Sequence, residues 1–163
     1  MRTLLLYVIA VSAFLLLSCV NSDDPSECNR SVNLEVDQDQ LAADIEGIDE
    51  YLEEMSIQAD IDPSGLRYLI IEEGSGDAIT LCDNVRVSYT GSLISDGRVF
   101  DSATSPVSFP LSNLIRGWQI GLPLINEGGE IELFIPSVYA YGEQGIPRVI
   151  PSNANLRFRI TVQ

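Results

Sequence analysis

Between Asp37 and Met55 the apolar residues Leu41, Ile45, Ile48, Leu52 and Met55 recur at spacings of four, three, four and three. That is the stripe of an amphipathic helix. Asp37 with Gln40 resembles a capping pair at its start, and Asp62-Pro63-Ser64-Gly65 stops any helix beyond it. The opposite face carries Asp44, Glu46, Asp49, Glu50, Glu53 and Glu54 with no basic partner. Such a helix draws most of its stability from packing its stripe, so the stripe must dock. It can dock on its own domain or on a second copy of the chain. Two heptads are short for a coiled coil and the charge repels, which favours the domain and a monomer over a dimer.

From Gly65 onward the pattern changes to a period of two. Leu66–Ile71, Val85–Tyr89, Ile131–Ile135 and Leu156–Val162 read as strands, three of them alternating in and out. One helix interrupts them, with Ser112 as its N-cap, a body from Asn113 to about Ile120, and Gly121 and Pro123 at its end. The expected architecture is α+β: an antiparallel sheet with one short helix packed on it, preceded by the acidic helix.

The N-terminus has a different logic. Arg2 precedes a nearly unbroken apolar run from Leu4 to Leu17, shorter than the roughly 18–20 residues that cross a bilayer, so it reads as an export signal. It ends in Leu16-Leu17-Ser18-Cys19, which resembles the lipobox of bacterial lipoproteins and makes Cys19 the candidate lipidated residue. A plain secretory signal is the alternative. The division that follows is residues 1–18 as signal, 19–36 as a polar tether, 37–62 as the helical extension and 63–163 as the main domain. Ser22-Asp23-Asp24 resembles an acidic sorting signal for the outer membrane. The expected place is extracytoplasmic, lipid-anchored, at the outer membrane on its periplasmic or outward side. There Cys28 and Cys82 form a disulfide or stand as two unrelated thiols; spacing leaves both open.

Charge and composition narrow the chemistry. Twenty-four acidic residues against nine basic ones give a formal net charge of −15, a field that repels phosphate backbones and argues against a nucleic-acid partner. All nine basic residues are arginine, and the chain has neither lysine nor histidine. Schiff-base chemistry, Ser-His or Cys-His nucleophiles and histidine metal sites are therefore excluded.

Several segments then fit one pattern. Val87-Ser88-Tyr89-Thr90-Gly91 is followed by Asp96-Gly97 and Val99-Phe100-Asp101-Ser102, then by Ile115-Arg116-Gly117-Trp118. Tyr139-Ala140-Tyr141-Gly142, Val149-Ile150-Pro151 and Leu156-Arg157-Phe158 complete it. In this order and at this spacing the last hundred or so residues resemble the FKBP-type peptidyl-prolyl isomerases. The resemblance implies a sheet wrapped around the short helix, with an apolar pocket between them. Its walls would be Tyr89, Phe100, Phe109, Leu114, Ile115, Tyr141, Ile150 and Phe158, its floor Trp118, and its one charged rim residue Asp101. Val107, Ile146 and Val149 would flank the substrate; Val107 stands where many members have an aromatic residue and Ile146 where some have a histidine.

By the same resemblance the Ile115 N–H and the Tyr141 hydroxyl would hold the peptide's carbonyls. Proline-containing polypeptides would be the substrates, exported proteins the clients, and macrolides of the family's kind the inhibitors, with no metal or cofactor in the reaction. Two other readings exist: a non-catalytic module that holds proline segments, and a carboxylate-pair hydrolase using Glu130 and Glu132. The second is weak, because acids that alternate with buried residues on a strand normally face solvent.

Overall fold

The structure is a computed structural model that describes residues 28–163. The signal segment, Cys19 and the first part of the tether lie outside the described residues.

Helix α1 spans Gln38–Glu54, and the Asp37 carboxylate caps it by accepting from the N–H groups of Asp39 and Gln40. The capping is one-sided, since the Gln40 side chain turns forward to Asp44. Six strands follow: β1 (Asp60–Ile61), β2 (Arg67–Glu72), β3 (Asn84–Leu93), β4 (Val99–Pro110), β5 (Glu130–Ile135) and β6 (Leu156–Val162). They form one sheet in the order β1-β2-β5-β6-β3-β4, with every neighbouring pair antiparallel. Helix α2 (Arg116–Gly121) lies between β4 and β5.

Strand β5 is buried on both faces, and this organises the molecule. Ile131, Leu133 and Ile135 belong to the main core with Trp118 and Leu122, whereas Phe134 joins Ile48, Leu52 and Ile94 beneath α1. The helix between the sheet's ends is thus matched by a second helix on its other side. Contact with α2 is close because the helix lays bare backbone on the sheet. A Cβ at Gly121 would sit 2.5 Å from Leu133 Cδ2.

The apolar stripe of α1 docks on its own domain. Leu41, Ile48 and Leu52 are buried, Ile45 is half-buried, and Met55 lies beyond the last turn, exposed. Burying an aliphatic side chain of this size contributes about 1.5–3 kcal/mol, which offsets the helix's poor intrinsic stability. Two expectations fail on the polar side. Asp44 lies on the buried face, and Asp49 does find a basic partner, accepting two bonds of 2.8 Å from the buried Arg67 guanidinium. Glu132 is also buried, because α1 covers the face of β5 that a two-layer sheet would leave to water. It accepts from Arg157 at 2.7 Å, and Arg157 also donates to the Tyr51 hydroxyl. Glu130 and Glu132 therefore serve ion pairs, with Arg159 and Arg157, and not a paired-carboxylate site.

Ahead of α1 the chain is strapped to the domain. Cys28 and Cys82 are joined by a disulfide, with their Cα atoms 5.8 Å apart. Arg30 donates to Ser112 Oγ, and Arg116 donates to the Glu35 carbonyl.

Candidate active site

The site lies where α2 meets the flank of the sheet. Tyr89 from β3, Asp101 and Phe109 from β4, Leu114 and Ile115 from the approach to α2, Trp118 from α2, Tyr141 and Phe158 of β6 enclose a cavity of about 210 Å³. Small-molecule sites commonly span roughly 300–1,000 Å³, so this one suits a residue or two of a chain. Trp118 is only 4% exposed and forms the floor.

The aromatic rings form a continuous edge-to-face arrangement. Trp118 meets Tyr89 at 5.2 Å and 82° and Phe158 at 5.2 Å and 87°, while Phe100 meets Phe158 at 5.5 Å and 86°. Edge-to-face pairs contribute about 0.5–1.5 kcal/mol each beyond their buried area, so the walls hold their shape around empty space. One backbone position makes room for them. At Gly91 a Cβ would lie 2.5 Å from Phe158 Cε1 and 2.8 Å from Phe100 Cζ, so only glycine lets both rings close on β3.

Polar groups at the cavity are few. The Tyr89 hydroxyl donates to Asp101 Oδ2 at 2.8 Å. Burial first, and the Asp101 carboxylate second, push the Tyr89 phenol up to about 12. Burial also raises Tyr141, with a smaller contribution from Asp101. Both phenols therefore stay protonated donors at neutral pH. The Ile115 N–H precedes the first turn of α2, where helix geometry supplies no partner, and among the described residues it has no acceptor. The Tyr141 hydroxyl has none among them either. The buried Trp118 Nε1 also has no hydrogen-bond partner among the described residues. The site thus offers unpaired donors, an apolar lining and one carboxylate already occupied by Tyr89.

Of the residues named from sequence, Tyr89, Asp101, Phe109, Leu114, Ile115, Trp118, Tyr141 and Phe158 come together here. Phe100 stands behind the wall, against Phe158, and not on the cavity surface. Val107 is 36% exposed on β4, away from the cavity. Ile146, Val149 and Ile150 line a different groove of about 390 Å³ with Arg98, Gln144 and Arg148. The cause is local: Ile146 and Ile150 exchange backbone hydrogen bonds of 2.8 Å in both directions, which folds that loop on itself and buries Ile150. The expected N-cap Ser112 sits inside a 3₁₀ turn (Leu111–Asn113), and Ile115 takes the cap position with no side-chain bond. Because Ser112 Oγ accepts from Arg30, it ties the strap to the pocket wall instead.

Sequence reasoning set Asp44 on the exposed face of the helix and passed over Ser137, and the two meet through a 2.7 Å hydrogen bond. A signal was present: position 44 lies three residues after Leu41 and four before Ile48, on the stripe itself.

Comparison with known proteins agrees with this geometry. A sequence model of the FKBP-type peptidyl-prolyl cis-trans isomerases matches residues 76–163. A probable FKBP-type peptidyl-prolyl cis-trans isomerase of Haemophilus influenzae is 45% identical over 102 residues, 61% of this chain and 42% of that protein. The outer membrane protein MIP of Legionella longbeachae is 44% identical over 101 residues, 60% of this chain and 43% of that protein. The crystal structure of FkpA from Escherichia coli superposes with a TM-score of 0.66 at 37% identity, covering 76% of this chain and 60% of that one. The chain spans less than half the length of these two curated relatives.

Proposed function

The chain belongs to the FKBP-type peptidyl-prolyl cis-trans isomerase family, and from that premise we propose that its cavity catalyses rotation about peptide bonds preceding proline in exported polypeptides. The observation that carries this reading is an open aromatic cavity bordered by two donors without acceptors among the described residues, Ile115 N–H and Tyr141 Oη.

Rotation about an X-Pro bond breaks amide resonance against a barrier of about 18–20 kcal/mol, and unaided it takes tens to hundreds of seconds. The twisted imide is less polar than the planar one. A cavity that replaces water around it with Trp118, Phe158, Phe109 and Leu114 favours the twisted form over the planar one. The Ile115 N–H and the Tyr141 hydroxyl hold the flanking carbonyls, so the chain is fixed on either side of the bond that turns. Asp101 faces the cavity with its carboxylate anchored by Tyr89, which leaves it to orient the substrate's carbonyl dipole and not to transfer protons. No step requires a nucleophile or a titrating base. Macrolides that mimic the twisted imide would compete for the same walls.

The setting we infer is extracytoplasmic, with Cys19 as the lipid-bearing residue. The Cys28–Cys82 bridge supports it, since such bonds persist in oxidising compartments, and so does the outer-membrane name of the Legionella relative.

The test is a proline-tetrapeptide isomerisation assay on the full chain, beside Tyr141→Phe and Asp101→Ala. Acceleration by the parent, weakened in Tyr141→Phe, is the expected outcome. Binding of the peptide without acceleration would leave a proline-holding module in place of an enzyme.

A further inference from the structure

The proposed chemistry uses none of the polar side chains enclosed beneath α1, and the Asp44 carboxylate is one of these, 3% exposed. Its Oδ2 accepts from Ser137 Oγ at 2.7 Å and from the Val138 N–H at 3.2 Å, while Oδ1 accepts from Gln40 Nε2 at 2.8 Å. Asn155 closes a ring around this contact. Its Nδ2 donates to the Asp44 carbonyl at 3.0 Å, and its Oδ1 accepts from the Ser137 N–H at 3.1 Å.

The 3₁₀ turn Ser137–Tyr139 that receives these bonds runs, one residue later, into Tyr141. Tyr139 is fixed as well, its hydroxyl donating to the Ser64 carbonyl at 3.0 Å.

Docking of α1 does not depend on this contact. Ile48 and Leu52 fill the second core cluster, and Asp49 grips Arg67 at the start of β2, far along the chain from the turn. A buried carboxylate is costly unless its oxygens are well supplied with donors, so its place tells what it defines. Here the donors are the backbone and hydroxyl of the turn that leads to the pocket. We propose that Asp44 is a positioning residue for the isomerase site: the extension's helix fixes the Ser137–Tyr139 turn and thereby sets where the Tyr141 hydroxyl meets the substrate. The proposal rests on the reading of Tyr141 as a substrate-binding donor. It gives one residue of the helical extension a part in shaping the site without any contact with substrate.

The experiment compares Asp44→Ala with Asp49→Ala in the full chain, each alone and with Tyr141→Phe. Hydrogen exchange at the Val138 to Tyr141 amides and kcat/KM for a proline tetrapeptide are the two readouts. Asp44→Ala should speed exchange in that turn and lower kcat/KM about tenfold, the scale expected of a slightly misplaced binding group. Asp49→Ala, which loosens the same helix elsewhere, should do neither. In the Tyr141→Phe background the Asp44→Ala drop should shrink to less than about twofold, because both act through one hydroxyl. A tenfold drop that persists without that hydroxyl, or unchanged exchange in the turn, would overturn the proposal. Should Asp44→Ala fail to fold, Ser137→Ala, which removes one of the turn's bonds, carries the same comparison with about a threefold drop expected. A parent chain without activity would sink the assignment of the site, while the exchange comparison would still decide whether Asp44 holds the turn.

Discussion

On one face of β5 and β6, Leu133 and Phe158 look toward α2 and a cavity; on the other, Phe134 and Glu132 lie buried under α1. The two faces handle polarity in opposite ways. Beneath α1 the buried acids Asp44 and Glu132 are paired, by Ser137, Val138, Gln40 and Arg157. At the cavity, three donors go without acceptors among the described residues: Ile115 N–H, Tyr141 Oη and Trp118 Nε1. Closed packing with satisfied polar groups is what stability asks for, and unpaired donors around a vacancy are what a ligand uses. A single strand serves both faces, so the rigidity gained on one is available to hold the other in shape.

This comparison can be broken by substitution. Phe134→Ala removes the fully buried ring of the closed face and should cost about 3–5 kcal/mol in chemical denaturation, with kcat/KM of the folded protein unchanged. A large loss of activity at constant folded fraction would mean that the faces are coupled through the strand itself as well as through Asp44. Gly91→Ala pushes a methyl between Phe158 and Phe100 and should cost about 1–3 kcal/mol as the rings yield. Unlike Phe134→Ala it should also weaken peptide binding, measurable by titration of Trp118 fluorescence. Tyr141→Phe on the open face should invert the first result. It should leave the melting temperature nearly in place and lower kcat/KM about tenfold, the equivalent of one lost hydrogen bond of about 1.4 kcal/mol.

The smallest effect concerns protons. Tyr89 holds its proton up to about 12 against an ordinary value of 10.0, so its contribution to stability is whole below pH 10 and is lost as pH rises toward 12. Asp101→Ala removes the bond and the charge but not the burial. Phenolate absorbance should then show Tyr89, and to a smaller extent Tyr141, ionising at lower pH, with Tyr89 still above its ordinary value. An unchanged titration curve would show that the Tyr89–Asp101 bond does not govern that phenol.

Much of this fold is legible before any coordinates. The stripe of α1, the alternation of β6 and the aromatic motifs at Tyr89, Trp118, Tyr141 and Phe158 each depend on local spacing or on a pattern matched in order. Strand β4 is not legible, because Asp101-Ser102-Ala103-Thr104-Ser105-Pro106 has no period and reads as loop; only pairing with β3 makes it a strand. The burial of Glu132 is hidden for a related reason. A carboxylate's surroundings depend on which element covers it, and nothing in a chain's local pattern states that α1 crosses the back of β5. The groove at Ile146, Val149 and Ile150 escaped because loop closure at Ile146 and Ile150 draws these residues away from the cavity that the motifs suggested.

Strand β4 has a consequence for life among unfolded chains. It is the outermost strand beside the cavity, twelve residues long, and a smooth edge of that length would invite a passing extended segment to zip onto it. Its pairing with β3 slips twice, around Thr104-Ser105-Pro106 and at Phe100, and prolines at 106 and 110 deny the edge two N–H groups. On the function proposed above, the border beside the aromatic hollow is thereby kept from pairing with the extended chains that the hollow would hold.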